Sequence, residues 1–294
     1  MQIAVQDNLQ ADFSRLFKEW TPFKIVGLIA VFLLMVLNWA IESKKWQMLL
    51  KHTEQLSFAA SFQSVLMGLA ISIITPNRIG EYLGRILYLK NTNKLKGISI
   101  TIIGSFAQML VTSAFGVLGL IFYLYAVQQS NFLYFLLGLS FIIACGMLYI
   151  LFHLEVLVNF CKRISWLKKI SIYIEVIKRY EKGTLIKLIL YAIARYCVYS
   201  TQFFLLLYIT HNYLLPMETY AGIWLLYWII AVVPSFVIAD VGIRGKTAVT
   251  FLAFVSTNAL AIVVSSVMLW VINLILPALI GCFFVFRIKM FDNE

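Results

Sequence analysis

Within a mostly apolar chain, two short segments gather groups able to hold an anion: Thr75-Pro76-Asn77-Arg78-Ile79-Gly80-Glu81 and Asp240-Val241-Gly242-Ile243-Arg244-Gly245-Lys246. Guanidinium offers paired N–H donors that match phosphate or carboxylate oxygens, so Arg78 and Arg244 are the first candidates for such a ligand. If the chain is helical from Gly80, Glu81 and Arg85 stand four residues apart and form an ion pair on one face. Arg78 has no carboxylate at such a spacing on its own side and is therefore the better ligand group. In the second segment Asp240 and Arg244 are able to neutralise each other, Lys246 adds charge, and Gly242 and Gly245 free backbone N–H groups for an anion-binding nest. Each segment alone reads equally well as a structural ion pair; their pairing favours a shared site for the phosphate of a lipid headgroup near the membrane midplane.

Pro76 removes a backbone donor and Gly80 permits a tight turn, while Pro234, Gly242 and Gly245 do the same work in the second half. A charge at the bilayer centre costs at least about 2.5 kcal/mol on insertion scales, so such groups pair or face water. Arg195 lies well inside an apolar run, where it is placed to line the same cavity or to bridge to Asp240. Asn38 and Glu42 share a helix face, and Gln108, Gln202 and Asn273 are further polar groups within spans; interhelical hydrogen bonding is the expectation for all of these.

Composition sets the class. Hydrophobic residues make up 62% of the 294 residues and charged residues 13%, against about 25% charged in soluble domains. No separate hydrophilic block is large enough for a soluble catalytic domain. The net charge of +11 resides in short loops beside apolar runs, where Lys and Arg orient spans and meet anionic headgroups, so nucleic acid is not an expected partner. Cys145, Cys161, Cys197 and Cys282 are scattered, without the close spacing of a metal or redox site. No cofactor is expected.

The apolar runs at 25–41, 98–127, 132–152, 188–210 and 260–286 meet the length a helix needs to cross a bilayer, about 17 to 25 residues. Two other regions are peculiar: 58–74 is followed by the amphipathic stretch 82–89, and 220–239 by the short run 247–255. Lys and Arg place the connector 154–187, the loop around Lys90, Lys94 and Lys96, and the tail with Arg287 and Lys289 on the cytoplasmic side. These orientations agree if each peculiar pair is a re-entrant hairpin. The expected fold is an all-α polytopic membrane protein forming one transmembrane domain over 1–294, with about five full spans. It divides into repeat one at 23–127, a linking span at 132–153, the cytoplasmic amphipathic connector 154–187 and repeat two at 188–287. The odd linking span inverts the second repeat, and short Pro/Gly-interrupted segments at matching positions point to a binding site between the halves. The alternative is seven or eight simple spans with both charged segments in ordinary loops. In the connector, Ile164, Trp166, Leu167, Ile170, Ile174 and Ile177 alternate with basic residues, as in a helix lying on an anionic lipid surface.

On Asn38 and Trp46, the Pro-x-Arg-x-Gly-Glu pattern of Pro76, Arg78, Gly80 and Glu81 followed by Arg85, and the break at Pro234 and Gly242, the chain resembles the lysylphosphatidylglycerol synthase transmembrane-region family. This is the flippase-like domain of the bacterial multiple peptide resistance factor, also found as stand-alone proteins. The second break departs from the family pattern, with Ala239-Asp240 and Gly245 where a Gly-Gly pair and a glutamate are common; Asp240 is the candidate substitute. The resemblance implies movement of a lipid or lipid-linked sugar between leaflets of the cytoplasmic (inner) membrane. It does not imply lipid lysylation, which belongs to a soluble domain of the fused enzymes.

The expected function is therefore a flippase or scramblase for an anionic phospholipid or polyprenyl-phosphate carrier. Arg78, Glu81, Arg85, Arg195, Asp240, Arg244 and Lys246 form its binding set, and no enzyme activity is expected. A membrane-embedded lipid-phosphate enzyme and a non-transporting partner of a glycosyltransferase are the competing readings. Neither a nucleophile arrangement nor a metal-ligand cluster supports the first, and replacement of both sets of break charges without effect would favour the second.

Overall fold

The computed structural model describes residues 21–75, 78–90, 94–127, 129–163, 173, 175–211, 214–232 and 237–291. Pro76, Pro234 and the connector residues Ile164, Trp166, Leu167, Ile170 and Ile174 lie outside the described residues. The helices are α1 (Pro22–Leu50), α2 (Phe58–Ile73), α3 (Gly80–Ile86), α4 (Lys94–Ala126), α5 (Asn131–Phe152), α6 (Leu154–Arg163), α7 (Lys182–His211), α8 (Pro216–Val232), α9 (Val237–Leu252), α10 (Ala259–Trp270) and α11 (Leu276–Phe291). No strand occurs among the described residues.

Five segments are long and apolar enough to cross a membrane: Pro22–Leu50, Lys94–Ala126, Asn131–Phe152, Lys182–Thr210 and Ala259–Arg287. They coincide with the five apolar runs of the sequence, and the chain is an all-α polytopic membrane protein. Local chemistry starts several helices where expected. Thr21 caps α1 by accepting from the Lys24 N–H at 3.4 Å, with Pro22 in the first turn; Ser57 caps α2 through Ala60 at 3.2 Å, and Asn258 caps α10 through Ala261 at 3.0 Å. Between α10 and α11 the helix widens into one π turn at Val271–Ile275, just before Pro277, whose ring disturbs regular i to i−4 bonding.

Two pairs of short helices form hairpins, α2 with α3 and α8 with α9. Glycines make the close approaches. A Cβ on Gly84 would stand 2.5 Å from Gly68 Cα, and one on Gly80 would stand 2.3 Å from the Ile71 carbonyl oxygen. Gly80 is thus required for contact between the arms, not for the turn: the left-handed residue is Arg78, at φ 56°. Each hairpin packs on a long helix of the opposite half. Gly281 of α11 abuts the Leu66 carbonyl of α2, while Gly116 of α4 abuts the Trp228 side chain of α8. Helices α1 and α7, the first of each half, pack against one another.

Two apolar clusters surround the polar centre. One gathers Trp46, Leu49, Leu66, Leu69, Ile100, Leu151 and Leu188; the other gathers Val31, Phe203, Leu206, Ile223, Leu226, Leu252 and Ile262. Phe132, Phe135, Phe141 and Ile142 on α5 remain exposed, as expected of a helix facing lipid. Past α6, the connector returns to the bundle: Val176 and Ile177 are buried, and the Tyr180 hydroxyl donates to the Leu49 carbonyl at 2.7 Å. That end of the connector is a strut against α1.

Candidate functional site

A cavity of about 580 Å³ lies between the two apolar clusters, within the roughly 300–1,000 Å³ typical of ligand sites. Its charged lining among the described residues is Arg78, Arg195, Arg244 and Asp240. Arg78 comes from the α2–α3 turn, Arg195 from α7, and Asp240 and Arg244 from α9. The two polar segments of the sequence therefore meet, on one carboxylate. Arg244 Nε donates to Asp240 Oδ2 at 2.8 Å, and an Arg78 Nη lies 3.7 Å from the same oxygen. The Arg78 side chain is 38% exposed and that of Asp240 5%.

The sequence expectation for the second segment needs a correction. Residues 240–246 are not a break but the interior of α9, so their N–H groups are engaged along the helix and Gly242 and Gly245 form no nest. The Asp240–Arg244 pair, spaced i, i+4, instead favours the helix. A Cβ on Gly242 would meet nothing within 4 Å, and one on Gly245 would make ordinary contact with Val263. Neither glycine is demanded by a turn. Arg78 also has a carboxylate partner, Asp240, supplied by the other hairpin, while Glu81 of its own segment pairs with Arg85.

Arg195 lines the cavity, but its carboxylate is Glu42, not Asp240. Its Nη1 donates to Glu42 Oε2 at 2.7 Å, its Nε donates to Asn38 Oδ1 at 3.2 Å, and its guanidinium sits 4.9 Å from the Trp39 ring centroid. Glu42 is almost fully buried and holds two more cations, Lys45 at 2.6 Å and Arg85 at 2.8 Å. Arg85 also bonds Glu81 and stacks over Trp46 at 5.6 Å. Lys45 donates weakly to the Gly104 carbonyl at 3.4 Å. One buried carboxylate thus ties α1 to α3 and α7. In this setting breaking a pair is costly, because it leaves a buried charge without its counter-charge.

Of the predicted binding set, Arg78, Arg195, Asp240 and Arg244 are brought together around the cavity. Glu81 and Arg85 belong to the Glu42 network behind it, and Lys246 is exposed, off the lining. The remaining wall is polar and aromatic, with Asn38, Gln108, Tyr196 and Tyr199 among its members, and is aliphatic at Ile230, Ala231, Val232 and Leu274. The expected interhelical bonds of the amides are present, Asn38 to Asn273 at 3.4 Å and Gln108 to the Ala192 carbonyl at 3.4 Å, yet all three side chains also face the site. The sequence reading missed Glu42 as the network centre and the tyrosines as wall. Glu42 was signalled by its i, i+3 cation Lys45, and Tyr196 and Tyr199 by their position one and four residues past Arg195.

No curated protein and no solved structure matches the chain. The model of the lysylphosphatidylglycerol synthase TM region matches residues 8–281, a span that contains every residue of the cavity lining, and the chain belongs to this family.

Proposed function

We propose that this protein moves a lipid with an anionic phosphate headgroup between membrane leaflets, as a flippase or scramblase of the cytoplasmic membrane. The observation that carries the reading is the convergence of Arg78 and Arg244, from two separate hairpins, on Asp240 in the wall of one cavity. Guanidinium groups held this way match a phosphate, and Asp240 keeps them aimed when no ligand is bound. Family membership supports the same role.

In this reading the hairpins α2–α3 and α8–α9 are re-entrant, and the halves are inverted repeats meeting at the cavity. The reciprocal packing supports it: the first arm of each hairpin rests on the last helix of the opposite half, and α1 and α7 pair across the centre. Polar backbone at membrane depth is tolerated where it is buried in protein or lines a hydrated cavity, and the Arg78 turn, beside the cavity, meets that condition. The acyl or prenyl chains stay in the lipid while the headgroup passes through the site, with Glu81 and Asp240 tuning its charge.

The test is transfer of a fluorescent anionic phospholipid across vesicles containing the purified protein. Transfer above that of protein-free vesicles, slowed about tenfold or more by Arg78→Ala, is the expected result. Full transfer by that variant removes Arg78 from the mechanism, and transfer no faster than in empty vesicles removes the function.

A further inference from the structure

The charge around the cavity is not balanced. Arg78, Arg85, Arg195, Arg244 and Lys45 face only Glu42, Glu81 and Asp240 across the linked ion pairs. Among the described residues that leaves a surplus of two positive charges, one on the Arg78–Asp240–Arg244 group and one on the Glu42 network, whose Arg195 also lines the cavity. Glu42 is fully engaged by Lys45, Arg85 and Arg195, whereas Arg78 and Arg244 share one Asp240. In a cavity flanked by apolar clusters such a surplus is a standing electrostatic demand, met best by a ligand of charge two.

The aromatic wall points the same way. Tryptophan and tyrosine faces are also the means of holding an ammonium headgroup, but three of the lining rings are already in contact with another group. Trp39 carries the Arg195 guanidinium, Tyr196 stacks on Phe115 at 4.5 Å, and Tyr199 packs on Tyr227 at 5.0 Å. The one carboxylate of the lining, Asp240, is held by two arginines.

We propose that the cavity selects a phosphate dianion, a monoester phosphate terminus or a pyrophosphate, over the singly charged diester of an ordinary anionic phospholipid, and rejects zwitterionic headgroups. The selection rests on the cavity being the headgroup site proposed above. A phosphatidic acid or a polyprenyl phosphate has the required chemistry, and so does a soluble phosphomonoester; lipid and soluble sources differ only in what is attached to the phosphate.

Binding to the purified full-length protein separates these cases, using short-chain phosphatidic acid, short-chain phosphatidylglycerol, short-chain phosphatidylcholine, glycerol phosphate and inorganic phosphate as probes. A phosphate monoester takes its second charge near pH 6, whereas a diester stays singly charged. From about pH 5 to about pH 8, phosphatidic acid affinity should rise about tenfold while phosphatidylglycerol affinity stays flat. Arg244→Gln should cut that preference to about two- or threefold, and Lys246→Gln should leave it unchanged. Equal, pH-independent binding of phosphatidic acid and phosphatidylglycerol overturns the dianion selection while leaving lipid transport standing, as does tight phosphatidylcholine binding. Glycerol phosphate binding as tightly as phosphatidic acid upholds the dianion and overturns the lipid as its source. Binding of none of the probes overturns both the selection and the headgroup site. The pH series needs only the unaltered protein, so it decides the matter even if a variant fails to fold.

Discussion

Arg78 of the first hairpin reaches Asp240 of the second across 3.7 Å, although 162 positions of chain separate them, the difference of 240 and 78. Asp240 in turn is fixed by Arg244, one helical turn further along α9. The left-handed backbone of Arg78, a conformation that costs a non-glycine residue about 1–3 kcal/mol, is the kind of local strain that surrounding structure retains at functional positions.

If the cavity carries transport, its lining and not the local charge density decides which substitutions matter. Arg244→Ala should slow lipid transfer in vesicles about tenfold or more, while Lys246→Ala, exposed and off the lining, should transfer at the unaltered rate. Equal effects of the two would mean that general basicity, not the site, governs transfer.

Glu42→Ala should be the most destabilising single change in the polar centre. It leaves Lys45, Arg85 and Arg195 without their common counter-charge, at a cost of about 3–5 kcal/mol. A large fall in the thermal unfolding midpoint in detergent is expected, and a midpoint near that of the unaltered protein would show the network to be relaxed by water.

Glycine substitutions separate packing from turning. Gly84→Ala drives a methyl group to 2.5 Å from Gly68 Cα and should cost about 1–3 kcal/mol by forcing the hairpin arms apart. Gly242→Ala fills open space in α9 and should stabilise by about 0.4–1 kcal/mol. The same thermal measurement compares them, and a harmless Gly84→Ala would contradict the close crossing.

Much of this architecture was legible. The five long helices follow from run length alone, because the bilayer demands a continuous apolar stretch. The hairpins were signalled by Pro, Gly and charge interrupting or closing their apolar runs. Glu42 was harder to see because the apolar run ends at Ile41, whereas α1 continues to Leu50 and brings Glu42 and Lys45 inward. The second charged segment misled through its glycines. Their usual preference for turns is a weak local tendency, overridden where an i, i+4 ion pair and packing hold the helix. Convergence of Arg78 and Asp240 depends on how the two hairpins pack, which no local pattern encodes.

The most direct test of that convergence uses the protein with its four native cysteines replaced and new ones introduced by Arg78→Cys and Arg244→Cys. A short bifunctional thiol reagent should join the two within one chain, and a bulky water-soluble thiol reagent at either position should block the other. Independent labelling of both, with no cross-link, would place them on separate surfaces and contradict a shared cavity.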